Sequence, residues 1–266
     1  MAVISISNQK GGVGKTTTAV NLSAGLARHG KKILLVDLDP QCSATQSVYR
    51  RLAEDERGVN EAMLEETPLS EIIINTSVEN FDLAPAGESL ANADLNLASL
   101  MGRERYLENT LSHPDLKVYD HILIDTGPYL GLLTINAFVA SDYLIVPVSC
   151  EYLPLLGLKF LMETVGKVKA KIQPNLTILG YLLTMYDKRE KITFEVENTL
   201  VEKYGDLLFD TRIRINTKHR RAPSAQETIF EHERSASGKG TQDYTALTEE
   251  VLARLGEGHE HGQQDG

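Results

Sequence analysis

The sequence contains few cysteines and no long apolar run. Its 266 residues include two cysteines, Cys42 and Cys150, which lie far apart and follow no CxxC pattern. This usage argues against a disulfide framework and a zinc ribbon, and favours two buried thiols. No stretch of 18 apolar residues occurs, and the N-terminal MAVISISNQKGG lacks the basic and apolar regions of a signal peptide. We therefore expect a cytoplasmic protein with no membrane span.

An excess of basic residues is also lacking. Lysine and arginine number 27 against 37 aspartates and glutamates, which gives a formal net charge of −10. The chain is therefore not a basic nucleic-acid-binding protein overall, although a local basic patch could still bind phosphates. The hydrophobic fraction of 42% and the charged fraction of 24% are those of a globular protein and exclude bulk disorder.

Short apolar runs alternate with stretches of helical period along most of the chain. The runs are Ala2–Ser7, Lys32–Asp37, Phe81–Ala86, His121–Asp125, Tyr143–Val148 and Leu176–Thr184. Continuous Ile, Leu and Val predict strands that are buried on both faces, and the intervening helices predict right-handed βαβ units. The expected fold is α/β, a doubly wound, mostly parallel sheet flanked by helices. We assign residues 1–255 to a single domain and the polar, glycine-rich residues 256–266 to a flexible tail.

The motif KGGVGKTT, Lys10–Thr17, follows the first predicted strand and opens the first helix. This placement is what a phosphate-binding P-loop requires. Lys15 would face the β- and γ-phosphates, and the Thr16 hydroxyl could reach Mg²⁺. Gln9 stands where the ordinary motif has its first glycine, and Lys10 adds a second lysine. The less favoured alternative is a glycine-rich turn with a surface lysine. The glycines that would let backbone N–H groups converge on phosphate are Gly11, Gly12 and Gly14.

Three aspartates lie where predicted strands end. Asp37 and Asp39 belong to DLDPQ after the second strand, and Asp125 ends HILID. Ligands of doubly wound sheets bind at the carboxyl ends of the strands, so these carboxylates are expected beside the P-loop. An aspartate after an apolar strand suits a water-mediated Mg²⁺ ligand, and Asp39 could orient an attacking water. A helix N-cap is the alternative role for any one of them.

Taken together, the motifs resemble the ParA/MinD family of deviant-Walker P-loop ATPases, with greatest similarity to the short ParA (Soj-like) branch. The resemblance covers roughly Ala2–Leu255, with the segments in family order. It implies ATP and Mg²⁺ as cofactors and ATP hydrolysis that is slow without a partner. The residues that carry it are KGGVGKTT, LLVDLDPQ, HILIDTGP, LGLLTINAFVASD and LLTMYDKR.

The resemblance also implies a role for individual residues. Lys10 would reach across an ATP-bound homodimer to the partner's phosphates, and Lys15 and Asp39 would act in catalysis, Asp39 by positioning the water. The implied metal residues are Thr16, Asp37 and Asp125. The implied nucleotide-binding residues are Lys10, Gly11, Gly12, Val13, Gly14, Lys15, Thr16 and Thr17, with Met185, Asp187 and Asn216 around the base.

Basic residues form local groups despite the acidic total. The resemblance implies non-specific DNA binding by Arg189, Lys218, Arg220 and Arg221, whereas a solvated charged surface is the alternative. Another group of basic residues is interpreted as a solvated helix face; it consists of Lys159, Lys167, Lys169 and Lys171. The last helical stretch is acidic, and its apolar positions are typical of core packing. Attachment to a membrane is therefore not expected.

One segment departs from the family pattern. Relatives carry Pro-Pro-Ser where this chain has Gly127, Pro128 and Tyr129, in a segment that often acts as a switch beside the γ-phosphate. The function expected is an ATP-dependent dimerising switch, associated with the nucleoid, that partitions or positions DNA or another cargo. A stimulating partition or adaptor protein is implied. The alternatives are a nucleotide-dependent clamp with weak hydrolysis, and a metabolic ATPase of related fold.

Overall fold

The strands form a single sheet in which all but one pair of neighbours run parallel. The structure is a computed structural model that describes residues 1–65, 67–151 and 155–257. The strands pair in the order β3-β4-β2-β5-β1-β6-β7-β8, with β3 antiparallel to β4. Their bounds are β1 Ala2–Ile6, β2 Ile33–Leu38, β3 Ile74–Asn75, β4 Phe81–Ala84, β5 His121–Thr126, β6 Tyr143–Ser149, β7 Thr177–Tyr186 and β8 Leu208–Arg214.

Helices connect the strands and cover both faces of the sheet. The longer ones have their apolar side buried, as βαβ crossovers require. The helices are α1 Lys15–Arg28, α2 Ser43–Val48, α3 Val59–Leu64, α4 Ala93–Ala98, α5 Tyr106–Leu111, α6 Leu132–Val139, α7 Leu155–Lys171, α8 Lys191–Tyr204, α9 Lys218–Arg221, α10 Ile229–Glu233 and α11 Lys239–Arg254. Short 3₁₀ turns occur at Leu69–Glu71, Glu88–Asn92, Pro114–Val118, Gly205–Leu207 and Pro223–Ala225.

Alternate residues of each central strand enter opposite cores. In β2, Ile33 and Leu35 pack with α1 and α11 on one face, whereas Leu34 and Val36 pack with α3, α5 and α6 on the other. A third core lies between β6, β7 and the helices α7 and α8. Burial on both faces explains the continuous apolar runs in the sequence. The predicted doubly wound α/β fold is confirmed.

The sequence analysis did not predict two of the strands. β3 has only two residues, too few to show a pattern. β8 has the sequence LFDTRIR and forms an edge of the sheet, so charged residues alternate with apolar ones. The six runs that were predicted correspond to β1, β2, β4, β5, β6 and β7.

The C-terminal helix α11 packs into the core through Tyr244, Leu247 and Val251, in agreement with the interpretation of its apolar positions. Residues 258–266 of the predicted tail lie outside the described residues. Glu257 is described, and its carboxylate lies 2.6 Å from Lys31 Nζ and 3.3 Å from His121 Nε2. The division at residue 255 stays a prediction. Among the helices that the structure describes, none combines the length and apolarity needed to cross a bilayer.

Candidate functional site

The loop between β1 and α1 lies at the centre of the sheet, where the strand order reverses around β1. Gly12 and Gly14 have φ angles of 74° and 83°, in the left-handed region that favours glycine. Gly14 is also the residue immediately before α1. The loop therefore delivers exposed backbone N–H groups and the positive end of a 14-residue helix to the carboxyl edge of the sheet.

Two neighbouring strands hold this loop in place. The Asn8 amide nitrogen donates to the Pro147 carbonyl of β6 at 2.7 Å, and the Asn8 amide oxygen accepts from the Lys10 N–H at 3.1 Å. From β7, the strand next to β6, the Thr184 hydroxyl donates to the Val13 carbonyl at 2.9 Å. These bonds anchor the loop to strands that are distant in sequence.

Lys15 is the buried cation of the site. Its side chain leaves the first turn of α1, is only 6% exposed, and donates from Nζ to the Lys10 carbonyl at 3.1 Å. Burial lowers the pKa of Lys15, while the charges of Asp125 and Asp39 oppose that shift. For Lys10, burial lowers the pKa and Glu151 opposes the shift. A phosphate group at the loop would supply further negative charge to Lys15.

Asp37 and Asp125 are direct neighbours across the sheet. The register of β2 and β5 pairs them, and both are fully buried. Asp37 accepts hydrogen bonds at Oδ2 from the Thr45 N–H and hydroxyl, both at 2.7 Å, and at Oδ1 from the Asp39 N–H at 3.2 Å. Burial nevertheless raises the pKa of Asp37 to about 6. The hydrogen bonds from Thr45 moderate that rise.

Asp125 has no such donors. Among the described residues, neither carboxylate oxygen accepts a hydrogen bond of normal geometry, although the Thr16 hydroxyl is near enough to oppose the pKa rise. Burial, followed by the charge of Asp37, holds the pKa of Asp125 well above its usual range. A buried carboxylate without donors is satisfied best by a cation. Asp125 and Thr16 therefore fit a magnesium ion.

The described residues contain no cluster of three or more His, Cys, Asp or Glu side chains able to hold a metal alone. Magnesium in nucleotide sites is usually bound through one or two carboxylates together with the phosphates of the nucleotide. Asp37 is the weaker candidate of the predicted metal residues because its oxygens are already engaged by Thr45 and Asp39.

Asp39 is slightly more exposed than the other two aspartates, at 7% against 0% for each of them. Its Oδ1 accepts a hydrogen bond from the Gln41 N–H at 3.0 Å. The backbone of Gly127, which follows β5, packs against the same carboxylate. Asp39 thus has the access to the phosphate site that the buried Asp37 lacks.

A pocket of about 190 Å³ opens beside Gly14 and Thr17. Its walls come from the ends of β7 and β8, the segment after β8, and the buried ring of Tyr244. Met185 and Asn216 line it, as predicted for base contacts, and Met185 has a φ of 51°. A largely apolar pocket next to the P-loop suits a flat heterocycle.

Asp187 is not brought to this pocket in the described part of the chain. Its carboxylate pairs with the guanidinium of Arg189 at 2.5 Å, in the loop that follows β7. That pairing lowers the pKa of Asp187 to about 2. Two residues that line the pocket, Glu151 and Tyr244, were missed in the sequence analysis because neither belongs to a motif and only the folded chain brings them there.

Comparisons with known proteins agree with this geometry. A family model described as an AAA domain matches residues 1–178. The sporulation initiation inhibitor protein Soj of Bacillus subtilis is 41% identical over 251 residues, which span 94% of this chain and 98% of that protein. The chromosome-partitioning ATPase Soj of Thermus thermophilus is 42% identical over 254 residues, 96% of each chain. This chain belongs to the ParA/Soj family of P-loop ATPases.

A solved structure agrees with the fold assigned to this ParA/Soj-family chain. Cobyrinic acid a,c-diamide synthase from Mycobacterium smegmatis, with a bound ATP analog and magnesium, superimposes with a TM-score of 0.84. The two chains are 31% identical, and the match spans 98% of each. The resemblance recognised from the motifs is therefore confirmed.

The basic residues of the ParA/Soj-family chain divide into two sets. Arg189, Lys218, Arg220 and Arg221 are exposed, although Arg189 pairs with Asp187 and Lys218 Nζ lies 3.6 Å from a buried Glu233 oxygen. Arg212 and Arg214, which lie in the edge strand β8, form ion pairs with acidic residues. Their partners are Glu197 at 2.7 Å and Asp243 at 2.6 Å.

Proposed function

We propose that this chain is an ATP-dependent switch that dimerises with ATP, binds DNA non-specifically and positions DNA or another cargo on the nucleoid. The observation that carries the proposal is the shared location of the pocket and the exposed basic residues. Asn216 and Arg220 line the pocket, and Lys218 lies between them in the chain. Because one short segment faces both the pocket and solvent, nucleotide occupancy can bias the basic surface.

The residues of the site divide the binding of ATP among them. The N–H groups of Gly11–Thr17 and the ammonium of Lys15 bind the phosphates, and the pocket beside Met185 receives the base. Thr16 and Asp125 would hold magnesium, with Asp37 behind them. Magnesium, when bound, neutralises charge on the β- and γ-phosphates.

Two further residues act in hydrolysis and in dimerisation. Asp39 orients the attacking water because it is the least buried carboxylate of the group and faces the phosphate end of the loop. Lys10 reaches the phosphates bound by a second copy, so that ATP is needed to close the dimer. A partition or adaptor protein accelerates hydrolysis, and the ADP form releases DNA.

DNA is held by its phosphates and not by its bases. The exposed cations come from the loop after β7 and from the short helix α9, and an overall charge of −10 repels DNA elsewhere. Arg189 and Lys218 each have an acidic neighbour, Asp187 and Glu233. Their contribution to DNA affinity is therefore smaller than that of an unpaired cation, and it falls as salt is added.

The test is fluorescence anisotropy of an arbitrary DNA duplex with ATP, ADP or no nucleotide. We expect binding with ATP only, and its loss in the double variant Arg189→Glu/Lys218→Glu. The matched control is Lys159→Glu/Lys167→Glu, which makes the same charge change on the exposed face of α7. Binding that is equal in all nucleotide states, or lost equally in both double variants, would contradict the proposal.

The likeness to cobyrinic acid a,c-diamide synthase favours one other candidate, an ATPase that acts on a small molecule. That candidate predicts turnover stimulated by a small-molecule substrate and independent of DNA. The clamp alternative predicts nucleotide-dependent binding without multiple turnovers. ATP turnover measured with and without DNA, in the presence and absence of the partner protein, separates these three functions.

A further inference from the structure

The chain segment after β5 packs directly against the Asp39 carboxylate. A Cβ atom at Gly127 would lie 3.2 Å from Asp39 Oδ1 and 3.4 Å from Asp39 Cγ. The first of these distances is tighter than an ordinary van der Waals contact. Any side chain at position 127 would therefore displace the carboxylate, or the backbone, by a few tenths of an ångström.

Backbone conformation does not explain why glycine occupies this position. The φ of Gly127 lies outside the left-handed region, unlike that of Gly12 or Gly14. An L-residue could adopt the same backbone. The close approach to Asp39 is the structural feature that requires the missing side chain.

Both sides of this contact are held firmly. Asp39 is fixed by hydrogen bonds to its neighbours, Oδ1 accepting from the Gln41 N–H and its own N–H donating to Asp37. The segment before and after Gly127 is fixed by the Thr126 hydroxyl, which donates to the Ile6 carbonyl at 3.0 Å, and by the Tyr129 carbonyl, which accepts from the Thr134 hydroxyl at 2.6 Å. Relaxation of the contact is therefore opposed by these bonds.

We propose that Gly127 is a positioning residue for ATP hydrolysis. By carrying no side chain it lets the backbone after β5 close onto Asp39 and fix where that carboxylate points. The proposal rests on the role proposed for Asp39. It attributes the orientation of that carboxylate to the segment after β5, in which this chain departs from its relatives.

The first test is Gly127→Ala, measured by steady-state ATP hydrolysis and by ATP binding at equilibrium. Displacement of a water-orienting group by a few tenths of an ångström is expected to lower kcat by roughly three- to tenfold. KM and the Kd for ATP should stay within about twofold, because the P-loop and the base pocket are untouched. The matched control is Gly166→Ala on the exposed face of α7, where an added Cβ meets nothing within 4 Å. An unchanged kcat, or a Kd that rises as much as kcat falls, would overturn the proposal.

The second test examines whether the effect passes through Asp39. Gly127→Ala should lower the urea midpoint of unfolding in the wild-type background, and lower it less or not at all beside Asp39→Ala, where the crowded carboxylate is gone. If Gly127→Ala alone fails to fold, the double variant should recover folding. Equal midpoint shifts in both backgrounds would refute the contact. A wild-type rate of hydrolysis in Asp39→Ala would instead refute the proposed role of Asp39, which separates the two failures.

Discussion

Replacing Asp125 with asparagine is expected to stabilise the nucleotide-free protein at neutral pH. Asp125 is fully buried beside Asp37, without hydrogen-bond donors among the described residues. The magnitude follows from Asp37, which is equally buried and receives three hydrogen bonds, yet has its pKa raised from 3.8 to about 6. That rise corresponds to about 3 kcal/mol of unfavourable interaction in the ionised form. Asp125 lacks those bonds, and burial together with the charge of Asp37 raises its pKa in the same direction.

The sign of the pH dependence follows from the direction of the pKa shift. The folded protein binds the Asp125 proton more tightly than the unfolded chain does, so the contribution of Asp125 to the stability of the wild type falls as pH rises above about 4. Asparagine has no proton to lose. The difference in unfolding free energy between Asp125→Asn and the wild type should therefore grow in favour of the variant between pH 4 and pH 7.

Urea unfolding at each pH, without nucleotide or magnesium, measures this difference. Titrating groups that do not interact with Asp125 are common to both proteins and cancel in the comparison, whereas Asp37, its neighbour across the sheet, is itself affected by the substitution. Glu249→Gln, an exposed change on α11, is the control and should alter stability by no more than about 0.5 kcal/mol. A difference that is constant from pH 4 to pH 7, or that favours the wild type increasingly, would refute the reasoning.

Adding magnesium and ATP should offset the stability advantage of Asp125→Asn. At 100 times its Kd, a ligand stabilises the folded state by about 2.7 kcal/mol. The wild type should gain that amount, whereas Asp125→Asn should gain much less because the carboxylate that fits magnesium is gone. Equal gains by the two proteins would show that Asp125 takes no part in binding the metal.

Two further predictions concern assembly and packing. Lys10→Ala should bind ATP but lose the ATP-dependent doubling of mass in light scattering; a normal dimer would contradict the role proposed for Lys10. Gly180→Ala should destabilise the protein by about 1–3 kcal/mol in urea unfolding, because its Cβ would lie 2.5 Å from the Phe209 ring and 2.7 Å from the Arg254 guanidinium. Gly157→Ala, which meets nothing within 4 Å, is its control, and equal stability of the two variants would contradict the packing argument.

The sequence predicted those parts of the fold that depend on burial over a whole strand. Strands β1, β2 and β5 are buried on both faces, so their composition alone distinguishes them from their surroundings. The edge strand β8 could not be found in this way. Its arginines, Arg212 and Arg214, pair with acids on α8 and α11, and a charged alternating segment has the composition of a loop until those partners are known.

The pocket beside the P-loop shows a different limit of the sequence analysis. Met185 and Asp187 are two residues apart at the end of β7, and both were expected near the base. The pocket receives Met185, whose φ is 51°, whereas Asp187 pairs with Arg189 in the following loop. A change of backbone direction at one residue decides which neighbour faces the pocket, and a motif does not specify it.

The three aspartates show how far motif and spacing can define a site. Their sequence positions at strand ends predicted that they would meet beside Lys15, and they do so. Their different environments come from contacts that no motif contains. Thr45 donates two hydrogen bonds to Asp37, whereas neither Asp125 oxygen accepts one of normal geometry from a described residue. The segment at Gly127 lies close to the Asp39 carboxylate. Because hydrogen bonds to a buried carboxylate stabilise its charge, chemically identical residues acquire different electrostatic environments. These environments are set by the residues that contact the aspartates. Changes at Thr45 or Gly127 should therefore alter the site as specifically as changes to the aspartates themselves.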